Sequence, residues 1–443
     1  MRNNSMHFLY SLCFTFAFIL ALPYFLVRGI WQKKYFSNFL QRLGWLSLPG
    51  GRLEGGIWIH AVSVGEVLAV IPLIRALQVR WPKRPLFVST ATQTGQALAK
   101  SRIGNSAIPL YFPFDWRFSV RRVLARIRPE AVLIAETEIW PNFLRECSLY
   151  GIPIVLVNGR ISGRSTRRYG WIRPFIRKTL GYFSALCMQT EMDRQRVLSL
   201  GAPPNRTEVC GNLKFDLKPA GEVSQLEERY RNLLCLPEDA LVVVAGSTMK
   251  HEEEHVLFAF DRLKRQHPAA TLILAPRHPE RFKEVEQLLA SRPATYSRRS
   301  ALGEHHSATP VDIWLLDSMG ELGATYAVAD IVFVGGSLVP RGGHNILEPA
   351  LFKKPILFGP YMDNFKEVAS CFLSQQAAIQ VRSPAELTTR LLELAGNKGL
   401  RQIIGENGFR ILLSNRGATD LVLRRVEEVL ERNHGGNHCG RNL

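Results

Sequence analysis

Cysteine is scarce in this chain, seven among 443 residues, and Cys13, Cys147, Cys187, Cys210, Cys235, Cys371 and Cys439 fall at no paired spacing. An odd, scattered set of this kind indicates neither a disulfide framework nor a zinc knuckle, so the body of the protein reads as cytosolic. Acidic residues are also few, 38 Asp and Glu against 56 Lys and Arg, a formal net charge of +18. An excess of that size points to an anionic partner. With 46% hydrophobic and 21% charged residues the chain is globular rather than disordered. Its length exceeds what a single core serves, which predicts two domains.

A third absence is of charge in one segment. Phe8 to Val27 holds no charged residue and is long enough to cross a hydrocarbon core as a helix. Arg28, Lys33, Lys34 and Arg42 lie after it and only Arg2 precedes it, which by the positive-inside rule puts the C-terminal side, and with it the body of the chain, in the cytoplasm. A cleaved signal peptide is the competing reading, but the run is long for an h-region, the start is weakly basic and no small-x-small site comes after it. The expectation is therefore a single-pass membrane anchor over residues 1–30. A helix lying in the interface is a third reading.

Beyond an aromatic, basic stretch (Trp31 to Trp45) and the turn Pro49-Gly50-Gly51, short β-branched runs alternate with helical patterns, the signature of parallel sheets with crossover helices. The first half offers strands at Ile57-Val62, Leu86-Ser89, Ala131-Ala135, Ile152-Val157 and Ala185-Met188. Pro72 should kink or shorten the helix after the first of them. The second half offers Leu241-Ala245, Thr271-Ala275, Asp312-Leu316, Ile331-Val334 and Pro355-Phe358. A polar stretch separates them, giving an N-terminal domain over 31–218, a linker over 219–238 and a C-terminal domain over 239–432. A Gly-rich tail at 433–443 is expected to be disordered. The fold class is α/β, two Rossmann-like domains facing a cleft, with chemistry sought beyond the carboxyl ends of the strands.

Four strings carry chemistry. In His60-Ala61-Val62-Ser63-Val64-Gly65-Glu66 a strand turns into a helix, and Glu66 sits either as a partner of the helix dipole or as a rigidly held base. His60, inside the strand, reads as a core histidine. In Glu136-Thr137-Glu138, extended geometry would point both carboxylates the same way, crowding one rim and perturbing each other's ionisation. Arg160, Arg164, Arg167, Arg168, Arg173, Arg177 and Lys178 form an acid-free run, as do Arg117, Arg121, Arg122, Arg126 and Arg128. A solvated helix face is the plain reading of such runs; next to an anchor they suit anionic headgroups or a phosphorylated lipid. With no nucleic-acid module in view, nucleic acid is not expected as a partner.

The most specific string is Gly335-Gly336-Ser337-Leu338-Val339-Pro340-Arg341-Gly342-Gly343-His344-Asn345-Ile346-Leu347-Glu348. A Gly-rich loop succeeds a strand and a helix starts near Asn345, which would present backbone N–H groups and a dipole end to a nucleotide phosphate, with Glu348 placed for ribose hydroxyls. The loops Pro276-Arg277-His278 and Asp317-Ser318-Met319 should converge there. His251-Glu252-Glu253-Glu254-His255 matches the zinc-protease pattern H-E-x-x-H. It opens a Rossmann-type helix and no third ligand stands at suitable spacing, so no metal is assigned to it.

Taken together, IHAVSVGE, AETEIWPN, NGRISGRS, GNLKFD, LAPRHPERF, LDSMGEL and FVGGSLVPRGGHNILE resemble the 3-deoxy-D-manno-octulosonic acid (Kdo) transferases of lipopolysaccharide synthesis in order and spacing. The resemblance implies a GT-B fold and an inverting, metal-independent and cofactor-free transfer of Kdo from CMP-Kdo to the lipid A precursor, a tetraacyldisaccharide 1,4'-bisphosphate. On that likeness Glu66 is the base, and Glu136 and Lys214 stabilise the transition state. Pro276, Arg277, His278, Asp317, Ser318, Met319 and Gly343, His344, Asn345, Ile346, Leu347 and Glu348 hold CMP, while Arg160, Arg164 and Arg168 face the acceptor. The chain departs from the family pattern at Met249-Lys250-His251, where relatives often carry histidine two residues earlier than His251. A UDP-sugar transferase of the same fold and a non-catalytic anionic-lipid-binding membrane protein are the alternatives.

Overall fold

The computed structural model describes residues 2–32, 38–46, 55–217, 221–302 and 310–437. Lys33, Lys34, the Pro49-Gly50-Gly51 turn and residues 438–443 lie outside the described residues. The chain forms two compact units: Met1–Asp216 with Arg416–Leu443, and Leu217–Asn415.

The first unit is built on a seven-stranded parallel sheet of order β3-β2-β1-β4-β5-β6-β7. Its strands are β1 (Ile57–His60), β2 (Leu86–Thr90), β3 (Ile108–Tyr111), β4 (Ala131–Ala135), β5 (Ile154–Gly159), β6 (Ala185–Met188) and β7 (Thr207–Val209). Alternation along β1 sends Ile57 and Ile59 to one face and Trp58 to the other, so both faces are packed and the central strands are apolar throughout. β3 and β7 escaped the sequence reading because edge strands have a single neighbour and need no continuous apolar run. The helix Val64–Arg80 continues through Pro72, so Pro72 does not shorten it.

The second unit repeats the design, with order β10-β11-β9-β8-β12-β13-β14. The strands are β8 (Val242–Thr248), β9 (Thr271–Pro276), β10 (Tyr296–Arg298), β11 (Ile313–Leu315), β12 (Ile331–Val334), β13 (Ile356–Phe358) and β14 (Ile379–Gln380). In each sheet the order reverses beside the first strand, at β1/β4 and at β8/β12, which is where crevices open in such sheets.

Three boundaries need correction. The stretch read as a linker contains the helix Val223–Leu233, whose Tyr230 and Leu226 are buried, and it belongs to the second unit. The last helix, Ala418–Asn437, packs on the first sheet through Val422, Val426, Val429 and Leu430 rather than completing the second domain. Asp216 holds its start, with carboxylate oxygens accepting from Gly417 N at 2.7 Å and Thr419 N at 2.5 Å. That helix also takes the first residues of the expected disordered tail as far as Asn437.

The single-pass anchor is likewise corrected. Arg2–Gln32 is one helix, yet among the described residues no helix is long and apolar enough to cross a membrane. One face is polar and committed to the first unit. His7 Nε2 lies 3.1 Å from Tyr182 Oη, Tyr10 donates to Asp115 Oδ2 at 2.8 Å, Asn142 Nδ2 donates to Ser11 Oγ at 2.9 Å, and Trp116 Nε1 donates to Thr15 Oγ1 at 3.0 Å. These residues recur at helical spacing and so share a face. The opposite face leaves Phe8, Leu9, Leu12, Phe16, Ile19 and Leu20 between 57% and 71% exposed.

Candidate active site

In the first unit the turn after β1 places Glu66 in the first turn of Val64–Arg80, behind the N-cap Ser63. Its carboxylate reaches back, Oε2 accepting from Val62 N at 2.7 Å and Oε1 from Ser63 Oγ at 3.0 Å, which fixes its orientation. Glu66 is 8% exposed. Burial, with the negative charges of Glu136 and Glu138 adding to it, pushes its pKa from 4.5 up to about 7, against the hydrogen bonds from Val62 and Ser63. A carboxyl poised there is suited to exchange protons near neutral pH. His60 is a core histidine. It is fully buried, stacked on Phe112 at 3.7 Å, with Nδ1 3.0 Å from Ser89 Oγ.

Glu136 comes directly after β4, beside β1 in the sheet. It takes a positive φ of 54°, so Glu136 and Glu138 sit in a turn rather than along an extended strand. Their proximity to Glu66 comes from that turn and not from strand alternation. A left-handed non-glycine residue is uncommon and marks a constrained site. Glu136 Oε1 lies 3.5 Å from Lys214 Nζ, and Oε2 lies 3.7 Å from Arg160 Nε. Lys214 rides on the short helix Leu213–Phe215, capped by Asn212 Oδ1, which accepts from Lys214 N at 3.0 Å. Asn158, also at positive φ (54°), accepts from Leu213 N through Oδ1 at 3.0 Å, and Asn212 Nδ2 donates to Gln189 Oε1 at 3.1 Å. Asn158, Gln189 and Asn212 thus position Lys214. Sequence reading missed them, although the polar end of an otherwise apolar strand at Asn158 was a usable signal.

The basic runs divide. Arg117, Arg121 and Arg145 close on Glu146, a fully buried carboxylate, at 2.8, 2.7 and 3.1 Å. Burial alone would raise Glu146, but Arg121 and Arg117 hold it below its ordinary value. Arg122 covers the Trp45 ring at 4.4 Å. Part of this run therefore serves the fold. Arg164 and Arg168 are exposed on the helix Gly163–Gly170.

In the second unit the Gly-rich loop after β12 is organised by a residue of the zinc-protease-like string. Glu252, fully buried, accepts from Met249 N at 2.9 Å, Gly336 N at 2.6 Å, Ser337 N at 3.0 Å and Leu338 N at 2.8 Å. Glu253 accepts from Thr248 Oγ1 at 2.9 Å and pairs with Arg281 at 2.6 Å. Two of the three carboxylates of the zinc-protease-like string are thereby committed to structure. Gly335 is required here, since a Cβ would meet Ser247 O and Thr248 Cα at 2.6 Å.

His344 lies against Gly336, its Nε2 buried without a hydrogen-bond partner. Burial lowers its pKa to about 4, helped by the positive charge of Arg277 and by His278. The charge of Arg277, just after β9, is thus felt at His344 in the loop after β12. Asn345 donates to Glu348 Oε1 at 3.2 Å and accepts from Leu347 N at 3.1 Å. Ile346 and Leu347 are buried and Gly343 has a φ of 71°. The helix there is a single turn, Leu347–Ala350, so the expected dipole end is weak and an anion would depend on loop amides and on Arg277 and His344. After β11, the Asp317 carboxylate accepts from Ser300 N at 2.7 Å and from the Ser300 hydroxyl, and Ser318 donates to Glu321. Met319 is 62% exposed.

Two parallel Rossmann-type units, each with polar side chains gathered where strand order reverses, define a GT-B-like α/β protein. The UDP-GlcNAc 2-epimerase of Neisseria meningitidis, bound to UDP-GlcNAc, shares this fold at a TM-score of 0.53 and 14% identity, covering 84% of this chain and all of that one. Sequence comparison narrows the class. Residues 37–217 match the family described as 3-deoxy-D-manno-octulosonic-acid transferase (kdotransferase). The 3-deoxy-D-manno-octulosonic acid transferase of Haemophilus influenzae is 35% identical over 415 residues, 94% of this chain and 96% of that protein. That of Bordetella pertussis is 32% identical over 387 residues, 85% and 88% of the two chains. The chain belongs to the 3-deoxy-D-manno-octulosonic acid transferase family, and is a glycosyltransferase.

Proposed function

We propose that this glycosyltransferase moves Kdo from CMP-Kdo to the phosphorylated disaccharide of a lipid A precursor, releasing CMP. The observation that carries the reading is the Glu66 carboxylate, buried, oriented by Val62 N and Ser63 Oγ and raised to about 7, with the Glu136–Lys214 pair in the same unit. Glu66 takes the proton of an acceptor hydroxyl, which attacks the anomeric carbon as CMP departs. Lys214 and Glu136 balance charge as the bond to the donor breaks. The second unit holds the donor: Arg277 and His344 meet its phosphate, Glu348 its ribose, and the loops from Pro276 and Asp317 close round the nucleotide. Arg160, Arg164 and Arg168 receive the acceptor phosphates.

The enzyme works on an anionic membrane surface, with Arg2–Gln32 lying in the interface rather than crossing it. Its exposed apolar face supports this. So do the charges of Lys178, Arg145 and Arg117, which act on His7 on the packed face and, with burial as the larger cause, lower its pKa to about 4. Purified protein given CMP-Kdo and the tetraacyldisaccharide bisphosphate should release CMP and yield a heavier lipid, with CMP and not UDP competing. Absence of product, or equal inhibition by UDP, refutes the assignment of donor and acceptor.

A further inference from the structure

Cysteines that share no spacing in the sequence meet in the sheet of the first unit. The register of β6 and β7 sets Cys187 opposite Glu208, so the two side chains project from the same face. Cys210, two residues beyond Glu208, projects there as well. The Sγ atoms of Cys187 and Cys210 and a carboxylate oxygen of Glu208 all lie within 4.8 Å of one another. Cys187 and Cys210 are 0% and 3% exposed, whereas the Glu208 side chain, on the edge strand, keeps 46% of its surface. The cluster is closed at the thiols and open at the carboxylate. The helix Ala418–Asn437 roofs it with Ala418, Val422 and Val426, and its Arg425 Nε lies 2.9 Å from Glu208 Oε1.

We propose that Cys187, Cys210 and Glu208 form a binding site for a thiophilic divalent cation of the zinc class. Two sulfur donors among three select a soft cation over magnesium or calcium. A Zn–S bond of ~2.3 Å puts two thiolates about 3.8 Å apart on a tetrahedron, which the cluster reaches with little movement. The fourth position falls to water at the open, carboxylate side. Charge closes too. Both thiols lose their protons to solvent on binding, so two thiolates and one carboxylate around a divalent cation leave one net negative charge, and the Arg425 guanidinium beside Glu208 offsets it.

The site is structural and holds neither Glu66 nor Glu136. Its position nevertheless bears on Lys214. Cys210 N and Gly211 N both donate to Met188 O, at 2.9 and 3.3 Å, and the Gly211–Phe215 segment just beyond carries Lys214. Met188 in turn precedes Gln189, which accepts from Asn212. A cation on Cys187 and Cys210 therefore ties together the roots of the two segments that position Lys214.

The full chain, reduced and stripped with a chelator, is titrated with cobalt(II). One equivalent should produce thiolate-to-cobalt charge-transfer absorption, displaced by zinc(II), with two protons released per cation in weak buffer. Cys187→Ala and Cys210→Ala should each abolish the band, while Cys371→Ser and Cys13→Ser keep it. Glu208→Gln, at the solvent edge, should weaken binding about tenfold without loss of fold. The proposal is overturned if the unaltered protein gives no such band or releases no protons. It is overturned equally if the band survives both alanine variants or disappears with Cys371→Ser.

Discussion

Replacing Glu66 by glutamine keeps the shape of the side chain and removes the charge, and two readouts arise from one cause. Burial holds the Glu66 pKa at about 7 against an ordinary 4.5. If the ionised form is the working base, the parent rate should fall about fivefold between pH 7 and pH 6 and about tenfold for each further pH unit below that. Glu66→Gln should lose ~10²–10⁴ of the rate and show no such limb. The stability readout runs the other way. The folded pKa lies above the unfolded one, so the native state binds the proton more tightly and ionisation weighs against folding. That burden is absent below about pH 4.5, grows towards pH 7 and is complete above it. A shift from 4.5 to about 7 corresponds to a ceiling of ~3 kcal/mol. Glu66→Gln should therefore unfold at a higher temperature than the parent at pH 8, with the gap closing by pH 4.5. CMP release across pH gives the first measurement and thermal unfolding in matched buffers the second. A glutamine variant within a few-fold of the parent rate would refute the base. A rate loss with no pH-dependent gap in unfolding temperature would refute burial as the origin of its pKa.

If the Lys214 charge, paired with Glu136, balances the leaving donor rather than binding it, Lys214→Met should lower kcat by ~10²–10³ with KM little changed in steady-state CMP release. Glu252→Ala strands four backbone donors in a buried loop and should cost roughly 3–5 kcal/mol in denaturant unfolding, with CMP binding lost as the Gly336–Leu338 loop loosens. Gly359→Ala should destabilise by about 1–3 kcal/mol or more in the same assay, since the new Cβ would lie 2.1 Å from Ser337 O in the backbone.

The apolar runs of the inner strands made both sheets legible, because a parallel strand covered on two faces must be apolar along its length and Ala131–Ala135 or Ile331–Val334 can be little else. The ordered strings around Glu66, Glu136, Lys214 and His344 carried the family, since a strand end leading into a Gly-rich or acid-bearing turn is local in sequence. Local pattern says nothing of partners far along the chain. An amphipathic last helix does not reveal which sheet it covers, and only packing assigns Ala418–Asn437 to the first unit.

The N-terminal run is a second case. Twenty residues without charge read as a span, yet His7, Tyr10, Ser11 and Thr15 find hydrogen bonds on Tyr182, Asp115, Asn142 and Trp116. Cysteines without paired spacing read as isolated, until the register of β6 with the edge strand β7 brings Cys187 and Cys210 together. The sequence by itself determined the parallel α/β class and the family, because these rest on neighbours within a few residues. The tertiary structure alone decided the upward shift of the Glu66 pKa, the turn that gathers Glu136 and Glu138, the carboxylate that holds the Gly-rich loop and the fate of the first and last helices. Each of these depends on burial and on contacts between residues far apart in the chain.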